Sequence, residues 1–451
     1  MVPSRRPLFP SLRRKACLKL AGFESLDILR LSMSDLYRRI LDLESGPYTR
    51  WNVIPNIETV ATYSFNTQTI ELCDIGSEEY RKSLAGDIAL QRKITVLLAH
   101  EIRHWLDHVG SLWGQQLLCL GYNALNARLL NQPGELWRVI AFRQALRDNR
   151  FEQYYTTIES GSPAMGRRMW KYQMSTGARF NHSGKLSELH PILFTRFSWE
   201  DNSPACRVPM SVASLLETAA MDYELRAEQA FVSLLDPKEQ REASEALQSR
   251  YLDLAYDPNL AEYSVAVHAV SNFVGPKDCP GAFQLSSILA SIALNLTKDH
   301  FTTMRVPESF HTWGQRNDAF IRNGDRGYAF LVLAKSAPRV PIDNVDEWVE
   351  RTLENSGLPP LKIIKKDAGR EIDNLTVNVL DGPFSKLRDE NLSVGRKIFE
   401  QFGPVFKFES VLKALTKSTL PLPPIILGKE LEIVAGGETS PNGIRALSAA
   451  V

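Results

Sequence analysis

The stretch Lys93–Gly114, KITVLLAHEIRHWLDHVGSLWG, constrains this chain more than any other. Ile94, Leu98, Ile102, Trp105 and Val109 recur at helical spacing and make one apolar stripe. His100, Glu101 and His104 lie to one side of that stripe, inside the sequence His-Glu-Ile-Arg-His. Residues four apart on a helix sit one above the other on the same face, so both imidazoles aim at a single point. The helix is thus anchored by one face and presents two converging imidazoles from another.

Two imidazoles at this spacing can share a metal ion, and Glu101 is placed to reach a water beside it. Zinc suits such a site because it accepts nitrogen and oxygen ligands tetrahedrally and can keep one position open. The plainer alternative is a core helix whose histidines are satisfied by carbonyls and solvent. Asp107 and His108 follow the motif by three and four positions from His104. Asp107 reads either as a carboxylate orienting an imidazole or as a solvated last-turn residue. His108 reads as a polar residue near a helix C-terminus.

The rest of the composition narrows the class. At 451 residues the chain is long for one domain, and two or three lobes are expected. A net charge of +1 argues against a nucleic-acid surface covering the molecule. Cys17, Cys73, Cys119, Cys206 and Cys279 are scattered, odd in number and without a CxxC pair. That usage points to reduced thiols in a cytoplasmic protein. No run approaches the roughly 20 apolar residues of a membrane helix, so no membrane partner is expected. There is also no GxSxG, Walker loop or GxGxxG ahead of a helix.

Along the chain, residues 1–23 read as a basic arm without an acidic residue, and 24–45 as a helix stopped by Gly46-Pro47. Thr59–Asp74 alternates aromatic and β-branched residues around Asn66-Thr67-Gln68, a strand–turn–strand signal. An exposed edge strand there could pair with an extended peptide. Residues 115–160 read as helical with breaks near 131–134. From 161 to 209 glycine and proline punctuate the pattern, which reads as loops, a lid or cleft wall. The whole of 115–209 is therefore expected as an insertion.

Ser211, following Pro209, caps a second amphipathic helix, SVASLLETAAMDYELRAEQAFVSLLDP, ended by Pro237. Leu216, Ala220, Tyr223, Ala227, Phe231 and Leu234 form its buried stripe; Glu217, Glu224 and Glu228 lie along an adjoining face. Residues 238–300 read as mostly helical, with Tyr251, Tyr256, Tyr263 and His268 interspersed. From about 341 to 451 charged helices are broken by prolines, and the tail from Gly436 reads as disordered.

Two histidines on one helix and a glutamate on a second form the ligand set of the gluzincin zinc peptidases, and the chain resembles that clan. The resemblance covers residues 58–74, 93–110 and 211–235, with His100–His104 as its specific part. In gluzincin aminopeptidases the third ligand lies in a segment reading roughly N-E-G-x-A-x-x-x-E. Leu216-Glu217-Thr218-Ala219-Ala220, ending at Glu224, looks similar and puts Glu217 in the ligand position. A second alignment exists. Glu224-Leu225-Arg226-Ala227-Glu228, running on to Pro237, resembles small bacterial and phage regulatory zinc peptidases and makes Glu224 the ligand. Early placement on the second helix favours Glu217. Over a hundred residues separate His104 from Glu217, where the clan has a few tens.

The resemblance implies a mainly α (α+β) protein with a zincin-like core over 24–340 and a small antiparallel sheet beside the motif helix. A helical C-terminal region, 341–451, would follow. It implies a zinc-dependent peptidase acting on a peptide or protein, with Zn2+ on His100, His104 and Glu217 and with Glu101 as the catalytic base. The alternative is a non-enzymatic binding or regulatory protein on the same scaffold, with a structural metal site.

Overall fold

The computed structural model describes residues 60–130, 132–151, 157–158, 169–180, 185–339, 344–417, 419–430 and 432–434. The basic arm, the helix expected at 24–45, Cys17 and the tail from Gly436 lie outside these residues.

A hairpin opens the described chain: β1 (Thr62–Tyr63) and β2 (Ile70–Leu72) pair antiparallel. The helix α1 (Ser77–Leu84) leads into α2 (Ile88–Gly110), which carries the motif. Asp87 caps α2 by accepting from the Leu90 N–H at 3.1 Å. Ser111 ends α2 and caps α3 (Leu112–Leu129) through the Gly114 N–H at 3.0 Å. Gly114 is required at this corner: a Cβ would stand 2.0 Å from the His108 carbonyl oxygen. Next come α4 (Trp137–Arg150) and four strands, β3 (Thr157–Ile158), β4 (Lys171–Phe180), β5 (Leu186–Ser198) and β6 (Pro204–Pro209).

These strands form an antiparallel sheet in the order β3-β6-β5-β4; β4 to β6 lie where the sequence suggested loops and β3 where it suggested helix. The misleading residues have local explanations. Pro204 and Pro209 bound β6, and Pro191 sits opposite Ala178 where the β4–β5 register shifts. Proline lacks an N–H and is accommodated at strand ends and bulges.

The remaining helices are α5 (Val212–Val232), α6 (Pro237–Ala255), α7 (Ala261–Phe273), α8 (Cys279–Leu294), α9 (Lys298–Thr303), α10 (Gln315–Asn323) and α11 (Arg326–Ser336). Then follow α12 (Val345–Asn355), α13 (Leu361–Asn374), α14 (Ser385–Phe402) and α15 (Phe408–Thr416). Strands β7 (Ile425–Leu427) and β8 (Glu432–Val434) close the described chain. Among the described residues the fold is mainly helical with two small sheets.

Strand β7 runs parallel to β2, giving the order β1-β2-β7-β8. The sheet beside α2 is therefore mixed, and the outer edge of β2 is covered by the protein's own chain instead of lying open to a peptide. The apolar side chains of Ile70, Leu72, Ile425 and Leu427 pack into one core with Trp105, Val109 and Ile398 of α14. A second core joins β5 and β6 to α7, α8 and α11.

The helices α2 and α5 pack along each other between these cores. Ser211 caps α5 as expected, accepting from the Ser214 N–H at 3.2 Å. The helix stops at Val232, so Leu234 is 78% exposed and Pro237 opens α6 instead of closing α5.

Candidate metal centre

Helix α2 is buried on every side from Glu101 to Gly110. Its charged groups there must be satisfied internally. Arg103 and Asp107, one turn apart and fully buried, form a fork: Nε lies 2.9 Å from Oδ2, and Nη2 lies 3.2 Å from Oδ1. Arg103 also donates to Ser291 Oγ at 2.7 Å and lies over the Tyr223 ring at 4.9 Å. Asp107 thus pairs with Arg103, neither solvated nor bonded to an imidazole. His108 is buried with Nδ1 2.9 Å from the Tyr63 hydroxyl, and burial lowers its pKa to about 3.

The motif histidines face α5. The Nε2 atoms of His100 and His104 lie 3.1 Å apart. Glu217 Oε2 lies 3.4 Å from the first and 3.5 Å from the second. Three donor atoms bound tetrahedrally at about 2.0–2.1 Å from one zinc ion would be separated by roughly 3.3–3.4 Å. The observed triangle has that size.

Charge points the same way. Glu217 is fully buried, and neither of its carboxylate oxygens has a hydrogen-bond donor among the described residues. A buried carboxylate in that state calls for a cation. Burial works to raise the Glu217 pKa, but His104 and His100 beside it prevail and hold it below the usual range. His100 is opposed by burial, yet Glu217 and Glu224 push its pKa well above the ordinary imidazole value. Burial raises the Glu101 pKa, with the two histidines opposing. Among the described residues His100, His104 and Glu217 form the one His/Cys/Asp/Glu group placed to hold a metal ion. The arrangement is consistent with an HExxH-type zincin site and with a catalytic zinc hydrolase. No known protein family, curated protein or solved structure matches the chain. The likeness to zincins therefore rests on the motif and its geometry.

Glu224 lies behind His100: its Oε2 is 3.2 Å from Nδ1, the ring nitrogen turned away from the triangle. Glu228, almost fully buried, accepts from Arg92 Nε at 2.6 Å and Arg250 Nη2 at 2.7 Å. Tyr251, Tyr256, Tyr263 and His268 lie in different surroundings. The Tyr263 ring lies 6.4 Å from that of His100. Its hydroxyl pKa is pushed well up, first by burial and then by Glu217, Glu262 and Glu101. Tyr251 donates to Glu224 at 3.0 Å. Tyr256 and His268 belong to an aromatic cluster on Trp170, 5.4 and 5.3 Å from its ring. Helical periodicity offers no signal that selects Tyr251 and Tyr263, because their approach to α2 depends on how α6 and α7 turn back on α5.

The four described cysteines are free. Burial pushes the thiols of Cys73 and Cys206 up to about 12 and that of Cys279 to about 11, which makes them poor nucleophiles. Among the described residues no helix is long and apolar enough to cross a membrane.

Proposed function

We propose that this protein is a zinc-dependent peptidase, with His100, His104 and Glu217 as the metal ligands and Glu101 as the general base. The observation that carries this reading is the triangle of donor atoms with sides of 3.1, 3.4 and 3.5 Å. A zinc ion held there supplies Lewis acidity, polarising a substrate carbonyl and lowering the pKa of a water towards neutrality. Glu101, on the turn between the two histidines, accepts the proton of the attacking water and delivers it to the leaving amine. Tyr263, whose ring lies 6.4 Å from that of His100, is the candidate donor to the oxyanion that develops on the substrate. The substrate is a peptide or protein, as the resemblance to the gluzincins implies.

The test compares the full-length wild type with Glu101→Gln on an unfolded carrier protein, with products read by mass spectrometry. The wild type should cleave, stop on chelation and recover with zinc. Glu101→Gln should keep its zinc and lose about 10²–10⁴-fold in rate. Equal cleavage by both proteins, or none by zinc-loaded wild type, would refute the peptidase reading.

A further inference from the structure

His100 is held from behind by a side chain that is itself held. Its Nε2 belongs to the donor triangle, while Nδ1 lies 3.2 Å from Glu224 Oε2. The other oxygen of Glu224, Oε1, accepts the Tyr251 hydroxyl at 3.0 Å. Tyr251 is 1% exposed, lies edge-on to Phe283 with ring centroids 5.8 Å apart, and has Arg250 over its own ring at 5.3 Å. It sits on α6, a helix that brings no donor to the triangle. One turn beyond Glu224, Glu228 ties Arg92 of α2 and Arg250 of α6 to α5. His104 has no such support: its Nδ1 is buried without a hydrogen-bond partner among the described residues.

We propose that Glu224 and Tyr251 are positioning residues: Tyr251 fixes the Glu224 carboxylate, and Glu224 takes the Nδ1–H of His100 so that Nε2 presents its lone pair to the metal. The proposal rests on the zinc reading above. A neutral imidazole has one donor and one acceptor nitrogen, so a ring that binds metal through Nε2 must carry its proton on Nδ1. A carboxylate at that nitrogen selects the tautomer, holds the ring plane and raises the basicity of the ligand atom. Glu224 is partly exposed and would otherwise be free to swing towards solvent. The Tyr251 hydroxyl, rooted in a packed ring, removes that freedom. Metal affinity is thereby set in part from α6.

The experiment measures zinc affinity of the full-length protein by competition with a chromophoric chelator, with no need of a substrate. Glu224→Gln should weaken zinc binding about 10–100-fold. Tyr251→Phe, which keeps the packed ring, should weaken it about threefold to tenfold, the worth of one hydrogen bond. Because Tyr251 acts through Glu224, adding Tyr251→Phe to Glu224→Gln should cost nothing further. In cobalt-substituted protein the visible spectrum should shift in both single variants. Unchanged affinity in Glu224→Gln, or an additive double variant, would overturn the proposal. So would complete loss of zinc in Glu224→Gln with retention in Glu217→Ala, since Glu224 would then be a ligand. A folded wild type without zinc would instead remove the zinc reading, and the proposal with it.

Discussion

Arg103 stands between the two motif histidines and faces away from them into the protein, where its fork to Asp107 is fully buried. Removing one partner of such a pair leaves the other charge uncompensated in a poorly solvated interior. Arg103→Met should therefore destabilise the protein by about 3–5 kcal/mol, read as a lower urea midpoint. Arg103→Lys should recover little, since an ammonium cannot make the planar fork. A midpoint unchanged in Arg103→Met would refute this account of the pair. The sequence made the adjacent residues legible and left this one obscure. A four-residue spacing fixes where His100 and His104 point, but nothing local tells that α8 and Phe406 close over Arg103 and Asp107. The choice between Glu217 and Glu224 was likewise open, because both lie on the same helix face. They differ in which nitrogen of His100 they meet, and that depends on how α5 is set against α2.

Helices α2 and α5 were legible as elements from their stripes and, for α5, from its Ser211 cap. The sheet of β3 to β6 was not, because its prolines serve at strand ends and at a bulge, positions that look like breaks when only the local pattern is read. Nor was the pairing of β2 with β7, which joins residues more than 350 positions apart and has no local signature. This pairing has a testable consequence. Ile426 is fully buried in the central part of the mixed sheet, so Ile426→Asp should lower the melting temperature sharply and promote aggregation through the uncovered β2 edge. A melting curve like that of wild type would contradict the pairing. The contact of α14 with α2 is as close as glycine allows: a Cβ on Gly395 would stand 2.1 Å from the Val109 carbonyl oxygen. Gly395→Ala should cost about 1–3 kcal/mol in spite of its better helix propensity. A gain in stability would show that the helices are not so closely packed.

For the molecule as a whole, buried titrating groups limit stability from both sides of neutrality. Burial holds the folded-state pKa of His108 at about 3 and that of His268 at about 4, against roughly 6.5 in an unfolded chain. The unfolded chain therefore takes up protons first, and stability present above pH 6.5 is lost as the pH falls through 4 and 3. Glu262 has the opposite sign. Burial raises it from 4.5 to about 8, so the stability it contributes below pH 4.5 is lost as the pH rises through 8. Metal-free protein should accordingly melt highest between these arms. Glu262→Gln should raise the melting temperature by a few degrees at pH 8.5 and much less at pH 5.5. An equal shift at both values would mean that ionisation of Glu262 is not the cause.

The metal content of purified, full-length protein, measured by mass spectrometry beside His104→Ala and Glu217→Ala, tests the zinc site directly. About one zinc per wild-type chain is expected, lost in both variants while they remain folded. A folded wild type that holds no zinc after supplementation, or a Glu217→Ala variant that retains it at full occupancy, would contradict it.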